Sequence, residues 1–164
     1  MSALQSLVNL RTRALSALAK LTWFPPLLCR VSLGLIFAPS GWGKVHNLAK
    51  VTEYFTTLGI PMPGLNAWFV GGLEMVGGAL LLLGLFSRPI AFLLTGNMLV
   101  ADLTADRPAL FGVLQDLEAF LRADPFWFLF VSVVVLTLGP GAISLDRFVT
   151  KMMQGPQADT AAGR

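Results

Sequence analysis

The sequence predicts an all-α integral membrane protein: a four-helix bundle preceded by an amphipathic interfacial helix. Three observations carry this. Of the 164 residues, 55% are hydrophobic and only 13% are charged, against about a quarter charged in a soluble domain. The apolar residues gather in four runs separated by charged connectors. No alternation of period two persists, and this argues against a closed barrel, the other architecture that satisfies its backbone within lipid.

Residues 1–22 come first. Leu4, Leu7, Leu15 and Leu18 recur near helical spacing, while Arg11, Arg13 and Lys20 carry the charge. This pattern predicts an amphipathic helix in the headgroup region. A signal peptide is the rival reading, but the basic residues fall late and no continuous apolar core precedes a cleavage site. The first span is expected over 24–43. Pro25 and Pro26 suit a helix start, where a missing N–H costs little. Pro39, followed by Ser40 and Gly41, is expected to kink or break it.

The connector 44–64 mixes apolar and polar residues. It predicts a short interfacial helix over about 47–58, stopped by Gly59 and followed by an extended segment at Pro61 and Pro63. The second span, 65–86, is long enough to cross a hydrocarbon core about 30 Å thick. Ser87, Arg88 and Pro89 form a tight turn into a third, shorter span over 89–105. Residues 106–124 carry six charges and therefore lie outside the hydrocarbon. Leu110, Val113, Leu114, Leu117 and Leu121 suggest one interfacial helix there. The fourth span is expected over 125–143, completing a domain of 23–146. The polar segment 147–164 reads as a disordered tail.

Four spans put both termini on the side of the 2–3 turn. That side holds Arg11, Arg13, Lys20, Arg88, Arg147, Lys151 and Arg164, against Lys44, Lys50, Arg107 and Arg122 opposite. The positive-inside rule then makes both ends cytoplasmic. Trp23, Trp42, Trp68 and Trp127 all fall near span ends, as an aromatic belt would. The net charge of +3 is spread among connectors and forms no dense patch, so nucleic acid is not an expected partner. The single cysteine, Cys29, excludes an internal disulfide, a CxxC pair and a zinc cluster. It reads as a packing residue, and His46 as an interfacial hydrogen-bonder, so no metal site is expected.

Charge within hydrocarbon costs on the order of 2.5–3.5 kcal/mol even on lenient scales. Arg30, Glu74 and Asp102 therefore each call for a partner or a function, and Asn97 adds an amide to the third span. Arg30, Gly34, Ala38, Gly41 and Lys44 follow one helical face; Gly71, Glu74 and Gly78 follow another. Packing these small-residue faces together would neutralise Glu74 with Arg30 or with Lys44. The pair is then either a structural lock on helix register or part of a polar pocket in which Glu74 is the protonatable group.

The run R-x-x-x-G-x-x-F-x-x-x-G-x-x-K, here Arg30, Gly34, Phe37, Gly41 and Lys44, resembles the opening of DoxX family membrane proteins. FTTLGIP, then VGGLEMVGGALLLLGLFSRP and NMLVADLTADR, are similar to the family's second and third helices. The resemblance spans roughly 27–143. It implies a four-helix fold in the bacterial inner membrane, with Arg30, Lys44 and Glu74 as the family's polar positions. Asp102 departs from the uncharged polar or aromatic residue of many relatives. Some DoxX-like proteins are subunits of quinone-linked sulfur oxidation systems; others associate with redox-stress complexes or with handling of small metal-binding peptides. The expected function is therefore a redox subunit with a quinone as its candidate cofactor. Glu74 would exchange a proton in a polar cleft formed with Arg30, Lys44, Asn97 and Asp102. The alternative is a non-enzymatic membrane anchor or assembly partner. Either reading expects the lipid bilayer and other protein subunits as partners, with a homo-oligomer also open.

Overall fold

The computed structural model describes residues 2–154, and among these the chain forms helices joined by turns, without a strand. The elements are α1 (Ser2–Ala19), α2 (Phe24–His46), α3 (Leu48–Thr57), α4 (Pro63–Leu83), α5 (Ser87–Thr104), α6 (Arg107–Phe111), α7 (Leu117–Arg122), α8 (Asp124–Leu138) and α9 (Leu145–Gln154). Two stretches, Gln5–His46 and Pro63–Leu83, are long and apolar enough to cross a membrane, and Asp124–Leu138 is a shorter apolar helix.

Local chemistry explains the boundaries. Prolines stand in the first turn of α2, α4 and α8, where no N–H is missed. Gly84 closes α4 with φ 69°. Leu85 N donates to Leu80 O at 2.9 Å, the long bond of a glycine-terminated helix end. Gly59, with φ 71°, follows α3.

Several boundaries correct the sequence reading. Pro39 does not break α2, which continues through it to His46; the proline removes one backbone N–H donor, and the packing of α2 on α4 holds the rest. The helix expected across 106–124 is two short ones, α6 and α7, interrupted at Gly112, whose N–H bonds back to Pro108 O at 2.9 Å. Helix α8 ends at Leu138 rather than near 143, because Gly139 takes φ 78° and Pro140 follows. The tail expected to be disordered from Arg147 onward is instead helical as far as Gln154; residues 155–164 lie outside the described residues.

Helices α2 and α4 run antiparallel in close contact. A Cβ on Gly41 would collide with Met75 N and Gly71 O, and one on Gly78 with the backbone at Ala38. The glycines thus let two backbones meet, the device of small-residue helix pairs. Helix α5 packs on α8, α8 also meets α2, and α3 covers part of α4. The core between them is built from Leu33, Phe37, Leu73, Leu81, Ala91, Leu94, Met98 and Val135. On α1, Leu7, Leu10, Leu15 and Leu18 are all exposed.

Candidate functional site: a buried carboxylate on the floor of an apolar cleft

The antiparallel register of α2 and α4 brings Ser40 level with Glu74. Ser40 Oγ donates to Glu74 Oε2 at 2.9 Å. Lys44 lies one turn further along α2. Because a helical side chain leans toward the N-terminus of its helix, the Lys44 stem heads back toward Ser40, and Nζ bonds both Glu74 oxygens at 2.5 Å. From α5, Asn97 Nδ2 donates to Oε1 at 3.3 Å. Glu74 is 1% exposed, yet its carboxylate receives donors from three side chains on two other helices. This meets the requirement that a buried charge be both paired and hydrogen-bonded.

Above this carboxylate opens a cavity of about 1110 Å³. Its floor includes Ser40, Lys44, Glu74 and Asn97, and its walls include Ile36, Phe37, Phe69, Val70, Phe92 and Met98. Lys50, Asp106, Arg122 and Asp124, near the α3 and α6–α7 end, line the polar mouth. Phe69 and Phe92 are more than half exposed, so the cleft is also open along the sides of α4 and α5. An apolar chamber with a few convergent polar groups is the usual form of a small-molecule site.

Arg30 lies elsewhere. Fourteen residues separate it from Lys44, about 21 Å along the helix. It is 2% exposed. Its guanidinium donates to Pro140 O at 3.0 Å and Ile143 O at 2.7 Å, and a Cβ on Gly84 would strike it. Arg30 therefore ties α2 to the α8–α9 connector and to the end of α4. Asp102, 3% exposed, shares the buried face of α5 with Ala91, Leu94 and Met98. Five residues of helix place it about 140° around the axis from Asn97, and unlike Met98 one turn before it, it does not line the cleft. Of the residues predicted for the polar site, the structure brings together Glu74, Lys44 and Asn97, and not Arg30 or Asp102.

Two contributors escaped the sequence reading. Ser40 was weighed there only as a helix breaker; its position four residues before Lys44, on the same face, was the available signal. Asp146 accepts from Phe86 N at 2.8 Å and Ser87 N at 3.0 Å, capping α5 across some sixty residues of chain, and no local pattern announces such a contact. His46 Nδ1 lies 2.9 Å from Trp42 O, and the two rings are in contact. Cys29 packs against the core.

Antiparallel apolar helices joined at small-residue faces, with an ion pair held between them, are the features of a helical membrane protein. The family model for DoxX matches residues 26–107, a stretch that contains Ser40, Lys44, Glu74 and Asn97, and the chain belongs to the DoxX family of membrane proteins. It is 31% identical to Inner membrane protein YphA of Escherichia coli, over 74% of this chain and 87% of that one. It is 28% identical to Inner membrane protein YqjF of the same organism, over 76% and 92%. It is 27% identical to a Bacillus subtilis protein named "Putative oxidoreductase CatD", over 76% and 87%. No solved structure matches the chain.

Proposed function

We propose that the protein is a quinone-binding redox subunit of a bacterial inner membrane, with α2, α4, α5 and α8 as its four spans and both ends in the cytoplasm. The observation that carries the reading is the Glu74 carboxylate, ringed by Lys44, Ser40 and Asn97, at the floor of an apolar cavity that opens sideways. A quinone has the matching form: a polar head with carbonyl oxygens and a long apolar tail. The head reaches the floor, where the Lys44 ammonium polarises a carbonyl oxygen; reduction to the quinol takes two electrons and two protons, and Glu74 takes up protons from the polar mouth and passes them to the ring oxygens. Ser40 holds the carboxylate in place while Lys44 turns to the ligand. The tail leaves between α4 and α5 into lipid. Electrons come from a partner protein. The oxidoreductase name of the Bacillus relative agrees with this reading.

The test is quinone titration of purified protein in detergent, comparing the native chain with Glu74→Gln and Arg30→Lys. Saturable binding, lost in a folded Glu74→Gln variant and kept in Arg30→Lys, is expected. Full binding by Glu74→Gln overturns the assignment.

A second reading, a membrane anchor or assembly partner, is favoured by the exposed apolar residues Phe111, Leu114 and Leu117 on the 106–124 connector. It predicts co-purification of a partner that is lost on changing Leu114 to Asp while the Lys44–Glu74 pair is intact. A partner retained by that variant argues against it.

A further inference from the structure

The sequence gives no hint that the segment after α8 has a role of its own. In the structure it forms α9, and the helix is sharply two-sided. Phe148, Val149, Met152 and Met153 are all exposed and fall on one arc with Leu145; Arg147, Thr150 and Lys151 take the other side, by the 100° step per residue of a helix. Among the described residues, this apolar stripe has no extended packing on another helix.

The start of α9 is fixed. Asp146 N donates to Gly84 O at 2.9 Å, and the Asp146 carboxylate holds the first amides of α5. The helix is therefore rooted at the α4–α5 turn, at the end of the bundle where α2 begins. Beneath it lies a second cavity, of about 770 Å³, lined by Trp23, Pro26, Arg88, Pro140, Arg147 and Thr150 among others. Its charge is unbalanced. Two cations, Arg88 and Arg147, face one acid, Asp146, whose oxygens are held in place by backbone amides. Arg88 lies against Gly139 and donates only a long 3.5 Å bond, to Thr137 O. Arg147 is exposed and has no ion-pair partner among the described residues.

We propose that this end of the protein binds an anionic phospholipid. The phosphate sits between Arg88 and Arg147, and the apolar stripe of α9 lies among the acyl chains beside it. The inference goes beyond the quinone reading, sharing with it only the premise that the bundle spans a membrane. Three features select a lipid surface over a protein partner. The stripe sets Leu145, Phe148, Val149 and two methionines opposite the basic residues Arg147 and Lys151, the pattern of an in-plane membrane helix. The root at the α4–α5 turn holds the helix where the apolar part of the bundle ends. Trp23, a residue type that gathers at membrane interfaces, lines the same cavity.

The test uses the full chain. Native mass spectrometry of detergent-purified protein titrated with phosphatidylglycerol or phosphatidylcholine measures retained lipid. Phosphatidylglycerol is expected to bind more tightly, and the double variant Arg88→Gln/Arg147→Gln to weaken it roughly 30-fold, the effect of two surface cations. Arg147→Gln alone, at an exposed position, guards against misfolding and is expected to weaken it about 5-fold. Equal retention of the two lipids, or no change in Arg147→Gln, overturns the site. Displacement of the lipid by inorganic phosphate at equal concentration would show a free-anion site and also overturns it. In parallel, Met152→Cys in a Cys29→Ser background carries a fluorophore in nanodiscs. Quenching by brominated acyl chains at 152 but not at Thr150→Cys is expected; equal quenching at both positions overturns the in-plane placement. Quinone titration of the same variants keeps the two assignments separable, because the Arg88 and Arg147 changes leave the Glu74 cleft intact.

Discussion

Glu74 depends on its neighbours unequally. Lys44 supplies the countercharge, Ser40 a short neutral bond and Asn97 a long one. Removing Lys44 leaves a buried, uncompensated charge, and breaking such a pair typically costs roughly 3–5 kcal/mol. Lys44→Met is thus expected to lower the unfolding midpoint in detergent strongly. Adding Glu74→Gln to it should restore much of the loss, since the charge that lacked a partner is gone. If the double variant is no more stable than Lys44→Met, the ion pair is not what the site relies on. Arg30 is predicted to behave differently. Its guanidinium spans two carbonyls at once, a geometry that a single ammonium cannot reproduce. Arg30→Lys should reduce stability while leaving quinone affinity at its native value.

At the scale of elements, the α2–α4 contact sets the site. Gly78→Ala drives a methyl group into the backbone at Ala38. Overpacking of this kind costs typically 1–3 kcal/mol, and the variant should lose thermal stability and ligand binding together as Lys44 moves off Glu74. Asp146 is the second device. It holds Phe86, a non-glycine residue at φ 52°, in a conformation most side chains avoid. Asp146→Ala removes a cap of the kind worth roughly 0.5–2 kcal/mol. Hydrogen exchange should then rise first at the α5 amides Phe86 and Ser87; unchanged exchange there would show that the cap is idle.

The helices themselves were legible in the sequence because apolar runs and flanking prolines act locally. So was the meeting of Gly41 and Gly78 faces, because helical spacing fixes which residues share a side. The choice of Lys44 over Arg30 was not, since it depends on the register between two helices, which only packing decides. Asp102 looked like a member of the cleft because depth along a helix can be read from sequence more easily than rotation about it. Helix α9 is hidden for a different reason: its short segment is polar on average, and only the arrangement of Phe148, Val149 and Met152 around the axis shows an apolar side.

For the whole molecule, orientation is the broadest claim still open to a direct check. Fluorescent protein fused after Arg164 should fluoresce, and alkaline phosphatase fused at the same point should be inactive, because both ends are expected in the cytoplasm. The opposite result would invert the topology and place Arg88 and Arg147 against the other leaflet. Within the bundle, helices α2 and α4 form one close pair and α5 and α8 another, while the short turn Gly84–Phe86 joins them.

That turn works as the pivot of a lever. Asp146 holds it through the Phe86 and Ser87 amides, and the Arg30 guanidinium packs beside Gly84, so a parting of the pairs would be widest at the far end. Glu74 stands ten residues from Gly84, an arm of about 15 Å, and a splay of about 10° there would separate the pairs by about 2.6 Å. Lys44 and Ser40 ride with Glu74 on one arm; Asn97 rides on the other. The 3.3 Å bond from Asn97 is therefore the strap that a wedge-shaped occupant would undo, while Ser40 stays on the carboxylate. Spin labels at Trp68→Cys and Val100→Cys in a Cys29→Ser background would read the motion as a longer distance on adding ligand, and an unchanged distance would mean that the arms are rigid.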